Sequence, residues 1–316
     1  AVRAALGRAG ANVARYHEAL ASLRQQARIA LHFHPERLAA GGGSVAEGLL
    51  ESGVYQNQFV TGLSSGSPSA FAGGERDGWE ERLFGGAYHG ADAPPASRPK
   101  YGALVVVPHP DGPAPRFGSC YFVLRPEVAS RATFTWGGSH EDGASERTAT
   151  LDTLDVVLAP LLHQLEAGQG AFAVDDLNAA ALLEHLGRVQ SLPRGDLAHL
   201  ALGRALDSFI EVQVHGEVRL AADVERLVVD PAFRDHPVGE LLAAIAARSG
   251  FELDWHPGFT LAVREVPDVF RDYPVRPLAE RAAPAGLLDA AIVGAAANTL
   301  ELEPQAWAGW ASRDDI

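Results

Sequence analysis

The 316-residue chain contains one cysteine, no methionine and a single lysine, Lys100. A lone thiol, Cys120, excludes an internal disulfide and any multi-cysteine zinc centre. There is no run of 18 apolar residues and no basic-then-apolar leader, so neither a membrane-spanning helix nor a secretory signal is expected. Positive charge is also scarce. Lys and Arg total 26 against 40 Asp and Glu, giving a formal net charge of −14. A nucleic-acid backbone demands clustered cations, so it is not expected as the main partner. Methionine is missing even at position 1, which suggests a processed, trimmed or fragmentary chain. The remaining composition, 47% hydrophobic and 21% charged, is that of a soluble globular protein. A cytoplasmic location is the expectation, with secretion as an effector left open.

The length allows one large domain or two modest ones. Residues 4–29 have helical spacing of Val13, Tyr16, Leu20 and Leu23. After the apolar run IALHFH comes a compact helix, with Ser44 as N-cap, Glu47 completing a capping box and Gly53 as the stop. Residues 61–100 are rich in Gly, Ser and Pro and read as a long ordered loop system; Phe71, Trp79, Phe84 and Tyr88 within it favour binding. Strands are expected at 101–107, 119–124, 132–136 and 209–220, and helices at 151–166 and 174–188. The segment LAADVERLVV reads as a turn and short helix. Next come a helix at 238–250, a hairpin at 251–266 around His256-Pro257-Gly258, and two Ala-rich helices. No repeat or low-complexity tail is evident. The expected division is an N-terminal helix (1–30), a central domain (31–230) and a C-terminal helix and hairpin region (231–316).

Three segments carry chemistry. In FIEVQVHGEVRL (209–220), alternation puts Phe209, Glu211, Gln213 and His215 on one face and Ile210, Val212 and Val214 on the other. The second face is core. The first is either the solvated side of an edge strand or the floor of a site. In LHFHPER (31–37), His32 and His34 share a strand face and can bind one metal, as the H-x-H of metal-dependent amidohydrolases does. No second tight ligand pair accompanies them, so no tightly bound metal is expected; the alternative is one structurally satisfied histidine beside one that meets a ligand. In LFGGAYHGADAPPASRPKYG (83–102), Tyr88 and Tyr101 flank a loop, with Gly85 and Gly86 before the first and Ser97 and Lys100 near the second. Two such rings either pack a loop on a sheet or sandwich a flat, cationic ring.

The order of these segments resembles the diphtheria-toxin-like and poly(ADP-ribose) polymerase-like ADP-ribosyltransferases, which share a histidine, a tyrosine and a glutamate in that chain order. His34 before the helix that closes on Gly53 is similar to their first motif. Phe84-Gly85-Gly86-Ala87-Tyr88, followed by Asp92, Ser97, Lys100 and Tyr101, is similar to the second, and Ile210-Glu211-Val212-Gln213-Val214-His215 to the third. The chain departs from the pattern in Pro35 after His34 and in a large helical insertion at 137–206. The segments HFHP, RPKYGAL and RFGSCYF are similar also to an uncharacterised bacterial domain family. The resemblance implies an α+β fold with a split, mostly antiparallel sheet and a C-terminal helical region. It implies NAD as co-substrate, whose nicotinamide–ribose bond breaks through an oxocarbenium-like state. By the same resemblance, Tyr88 and Tyr101 sandwich the nicotinamide, His34 holds the ribose, and Glu211 binds the ribose and stabilises the cation. His32, Gln213, Gly85 and Gly86 would border the cofactor, Gln213 orienting the acceptor or Glu211. The acceptor, whether macromolecule, small molecule or water, stays open. The alternatives are a metal-dependent hydrolase using His32 and His34, a non-catalytic NAD- or nucleotide-binding module, and a catalytically silent fold.

Overall fold

The apolar run that ends in the two histidines forms β1 (Ile29–Phe33), near the middle of an eight-stranded sheet. The structure, a computed structural model, describes residues 12–63, 69–90, 92–174, 176–188, 205–206, 208–270 and 273–309. The other strands are β2 (Lys100–Leu104), β3 (Cys120–Leu124), β4 (Ala132–Trp136), β5 (Thr148–Ala149), β6 (Ile210–Val214), β7 (Val224–Val229) and β8 (Glu252–Trp255). They lie in the order β8-β7-β3-β1-β2-β6-β4-β5. Only β7 and β8 pair in parallel; the remaining neighbours are antiparallel. The helices are α1 (Val13–Gln26), α2 (Val45–Ser52), α3 (Glu75–Phe84), α4 (Asp155–Glu166), α5 (Ala179–Leu186), α6 (Pro237–Ser249) and α7 (Ala290–Leu302), with shorter turns between. The protein is α+β, as expected.

One face of the sheet is the core. Leu31, Leu104, Phe122, Phe134, Val212 and Leu227 pack there in one cluster with Leu20 and Leu23 of α1, Leu158 and Leu161 of α4, and Leu242 and Ile245 of α6. Each fully buried aliphatic side chain of this kind contributes roughly 1.5–3 kcal/mol of transfer free energy. β1 and β2 pair only at Ile29↔Leu104 and Ala30↔Ala103. Beyond that point β1 continues along β3 to Phe33↔Cys120, while β2 continues along β6 to Lys100↔Val214. The sheet therefore splits between His32–Phe33 and Lys100–Tyr101. The Tyr55 hydroxyl enters beside β1 and donates to the His32 carbonyl at 3.0 Å, satisfying a backbone group that β2 leaves unpaired.

Several elements differ from the sequence reading. The expected loop at 61–100 contains α3, ERDGWEERLF; its buried residue is Glu80, so no apolar stripe announced it. Helix 4–29 runs from Val13 to Gln26 within the described residues, and residues 1–11 lie outside them. Helix 174–188 is shortened to Ala179–Leu186, started by the Asn178 side chain accepting from Ala181 N. Part of the 137–206 insertion, residues 189–204, lies outside the described residues. LAADVERLVV is a single helical turn, Leu220–Asp223, followed by the strand β7. No hairpin forms at 251–266. Glu252–Trp255 joins β7 in parallel, whereas Thr260–Ala262 pairs with Leu287–Asp289 in a separate two-stranded sheet. The intervening His256 is buried and bonded through Nε2 to the Ser119 carbonyl at 2.8 Å, and this anchor carries the chain off the sheet.

The division expected at residue 231 runs through the sheet. α6 packs into the main cluster and β8 extends the sheet's edge. A smaller cluster of Val263, Val266, Ala279 and Ala283 belongs to the C-terminal part. α7 returns to the end of β1, where Asn298 Nδ2 donates to the Glu36 carbonyl at 2.7 Å. Among the described residues, no helix is long and apolar enough to cross a membrane.

Gly102 sits where the sheet splits. A Cβ there would meet Ala30 O at 2.5 Å and Leu31 Cδ2 at 2.6 Å. Gly102→Ala should therefore lower unfolding free energy by about 1–3 kcal/mol, the usual range for forced overpacking. Gly41→Ala, which faces open space, should leave the urea midpoint nearly unchanged.

Candidate functional site

The strand registers build the site. Tyr101, Gln213 and Thr133 lie level across β2, β6 and β4, and Ala103, Glu211 and Thr135 form the next row. Alternation turns both rows to the face opposite the core. Ala103, the neighbour of Glu211 in its row, is small and buried. Gln213 and Thr135 are fully buried, and Glu211 is half-buried. β6 is thus a central strand with β2 on one side and β4 on the other, not an edge strand with a wet face.

The polar groups on this face form one directed hydrogen-bond chain. Thr148 Oγ1 spends its proton on the Ala144 carbonyl at 2.8 Å, so Thr135 Oγ1 donates to Thr148 at 2.8 Å. Thr135 then accepts from Gln213 Nε2 at 3.2 Å. The other Nε2 proton goes to Glu211 Oε1 at 2.8 Å, and Gln213 Oε1 accepts from Thr133 Oγ1 at 2.8 Å. With its proton used, Thr133 accepts from His215 Nε2 at 3.0 Å, which leaves His215 Nδ1 to accept from the Tyr88 hydroxyl at 2.5 Å. The amide has one orientation that satisfies every partner. Its N–H side faces Glu211.

Burial raises the Glu211 pKa above the ordinary carboxylate range; hydrogen bonds from the Ser139 hydroxyl and backbone N–H and from Gln213, with the nearby Arg76 charge, offset part of this. His215 is shifted the other way, chiefly by burial and then by the Lys100 and Arg131 charges, so it stays neutral as the chain requires. Lys100 is a structural cation. Its Nζ donates to the Ala96, Arg98 and Gly216 carbonyls at 2.9, 3.1 and 3.0 Å.

α3 covers the face through polar contacts. Glu80, fully buried, accepts from Tyr101 Oη at 3.1 Å and from Arg98 Nη1 at 2.9 Å. Arg98 also pairs with Asp77, which accepts from Gly73 N at 2.8 Å and lies 2.9 Å from His89 Nε2. Burial raises the Glu80 pKa, with Arg98, Tyr101 and Arg76 opposing it. On the same helix, the Arg76 guanidinium lies over the Tyr101 ring at 4.7 Å and over Trp79 at 5.3 Å. Trp79 in turn touches His140, next to Ser139. The result is a carboxylate on a rigid floor, with a cation on aromatic rings above it.

The expected site residues separate into two groups. Glu211, Gln213 and Tyr101 share one face of adjacent strands. Tyr88 reaches that face through His215, against which its ring lies at 6.1 Å and 6°, and not through Tyr101. The ring that shares the Arg76 cation with Tyr101 is Trp79. Gly85 and Gly86, with φ of 59° and 78°, end α3 in left-handed conformation; they shape a turn and do not line the face. His32 is buried, its Nδ1 donating to the Gly118 carbonyl at 2.9 Å and its Nε2 accepting from Ala114 N at 3.3 Å. Burial depresses its pKa to about 3. It fixes a loop and has no lone pair for a metal or a cofactor. His34 stands 3.6 Å from Glu36 Oε1, which packs against α7. His34 lies beyond the end of β1, four residues past Ala30, and β2 stands between β1 and the strand that carries Glu211. Among the described residues there is no group of three or more metal-ligating side chains. Arg76, Glu80, Ser139, Thr133 and Thr135 escaped the sequence reading. Only the helical i, i+4 spacing of Arg76 with Glu80 and the polar alternation of ATFTW hinted at them.

A carboxylate with a raised pKa binds its proton more tightly folded than unfolded, so its contribution to stability falls as pH rises from the ordinary carboxylate range through the raised value. Glu211→Gln should gain stability relative to the parent across that window, by about 1.4 kcal/mol per unit of upward shift, read from melting curves at pH 4 and pH 7. Thr133→Val removes the donor to Gln213 Oε1 and should cost about 1–3 kcal/mol in a urea titration.

No curated protein matches the chain. Residues 28–316 match the model of the family described as protein of unknown function (DUF3626), and the chain belongs to that family.

Proposed function

We propose that this face cleaves the bond between a ribose and a cationic nitrogen ring, with NAD as the substrate, and passes ADP-ribose to an acceptor or to water. The observation that carries the reading is a positive charge stacked on Tyr101 next to a fixed carboxylate, Glu211. Nicotinamide in NAD is a flat cation, and the ribose becomes a second cation as the bond breaks. Both are stabilised by what this face offers: a ring face for the first and a fixed negative charge for the second. The order of the Tyr- and Glu-bearing segments along the chain supports the same assignment by resemblance.

In this reading Glu211 is the catalytic residue. Its anionic form stabilises the oxocarbenium-like ribose, and Gln213 positions the carboxylate without being able to take its proton. Tyr101 supplies the platform for the nicotinamide. Ser139 holds the second side of the carboxylate from the 137–143 loop. Nothing in this scheme depends on His34 or His32. The metal-dependent alternative is disfavoured because both His32 ring nitrogens are already engaged.

The test is release of nicotinamide from NAD by the purified chain. Glu211→Gln should lower turnover by about 10²–10³, the cost of removing one charge that stabilises the transition state. In the parent, kcat/KM should rise with pH through the elevated Glu211 pKa, because the anion is the active form. Equal turnover in parent and variant, or no nicotinamide release by the parent across pH 5 to 9, would remove the assignment.

A further inference from the structure

Arg76 is oddly placed for a structural arginine. It lies in the first turn of α3, where the helix dipole disfavours a cation. Its Nε is buried and makes no hydrogen bond. What holds it is the pair of rings, Tyr101 at 4.7 Å and Trp79 at 5.3 Å, together with the charges of Glu80 and Glu211, both of which sense Arg76 as a nearby cation. Arg98, by contrast, satisfies both Asp77 and Glu80 directly and sits over Phe59 at 4.3 Å. Arg98 fastens the helix. Arg76 fills a site.

We infer that Trp79 and Tyr101 form a subsite for a flat cationic heteroaromatic ring, and that Arg76 is its resident occupant, displaced when such a ring binds. The proposal rests on the reading above and goes further: it names Trp79 as the second wall and makes Arg76 the residue that sets affinity and selectivity. Without the guanidinium, the subsite would offer two ring faces beside the Glu211 carboxylate, with the buried Glu80, already held by Arg98 and Tyr101, behind them. That surface favours a cation of any origin. A neutral ring gains stacking but no charge attraction, so it displaces Arg76 poorly; a pyridinium gains both. An anion gains nothing from the rings and meets Glu80 and Glu211.

The cover is built to allow the exchange. α3 buries one residue, and that residue is Glu80, so the helix is held by ion pairs and hydrogen bonds and not by an apolar face. Elements held this way open at lower cost than those packed in the core. Arg76 is half-buried and takes no part in the Arg98 ion pairs with Asp77 and Glu80, so its guanidinium can leave the Tyr101 ring while the Arg98 clamp stays shut. Trp79 touches His140, next to Ser139, so the second wall is joined to the loop that holds Glu211. The same contact would report occupancy of the subsite to the carboxylate.

The experiment is calorimetric titration of the full chain with three probes: N-methylnicotinamidium, neutral nicotinamide and ADP-ribose. Arg76→Gln should tighten binding of the pyridinium by about three- to thirtyfold, the range of one cation–π contact from exposed to desolvated surroundings, and leave neutral nicotinamide nearly unchanged. Trp79→Ala should weaken the pyridinium by a similar factor. Unchanged or weaker pyridinium binding in Arg76→Gln overturns the proposal, as does parent-like binding in Trp79→Ala. Loss of ADP-ribose binding in Arg76→Gln, with the pyridinium unaffected, would make Arg76 an anion clamp and also overturn it. The readout is independent of turnover. Tighter pyridinium binding in a chain that never consumes NAD would keep the subsite and reject the transferase. NAD consumption by the parent with no response at Arg76 would do the reverse.

Discussion

A buried amide must have all its hydrogen bonds made, and Gln213 meets that demand in only one way. Its carbonyl oxygen is claimed by Thr133 and its two protons by Thr135 and Glu211. Leaving any one of them unmet would cost about 1–3 kcal/mol in a site closed to water. The register of β6 against β4 puts the four side chains in two adjacent rows, and the hydroxyl partners further along the face have no freedom once Thr148 commits its proton to Ala144. The Glu211 carboxylate is therefore aimed by a network that cannot relax locally. Polarisation along such a chain strengthens each link. Everything inferred about the face depends on this fixed direction.

The sheet splits beside this face. β1 follows β3 and β2 follows β6 after only two shared pairs, and Gly102 allows the close approach of the backbones at the point of divergence. The core side of the sheet continues unbroken beneath, because Leu31, Leu104 and Val212 pack into the same cluster. The floor is rigid for the ordinary reason that apolar interiors are dense. Above it, α3 contributes charge and aromatic rings and almost no apolar burial. A rigid floor under a polar, separable cover is the division of labour expected when a ligand must enter and then be excluded from water.

The electrostatics follow from burial more than from pairing. Glu211 and Glu80 are both pushed toward their neutral forms by loss of water, and each is partly restored by donors and by Arg76. His215 moves in the opposite sense for the same reason. The chain's overall charge of −14 says little about this face. Locally, the three carboxylates Glu211, Glu80 and Asp77 face the two arginines Arg76 and Arg98 and a set of aromatic rings.

Local patterns along the chain determined a good deal. Ser44, Glu47 and Gly53 set the limits of α2 because capping chemistry is local, and the period-two pattern at 209–215 identified both the strand and its polar face. Glu211 and Gln213 were legible as candidate site residues from that pattern, and Tyr101 from its place at the end of a Gly-, Pro- and Ser-rich loop. Only the tertiary structure decided what they meet. Strand order made β6 central, brought Tyr101 level with Gln213 and left His34 two strands away, and no periodicity encodes which strands become neighbours. α3 was hidden because its inward residue is charged, so the hydrophobic pattern that reveals most helices was absent. The spacing of His32 and His34 left open whether His32 meets a ligand or is structurally satisfied. Its burial, and the two backbone groups that take both ring nitrogens, exist only once the loop at 114–118 has folded against β1.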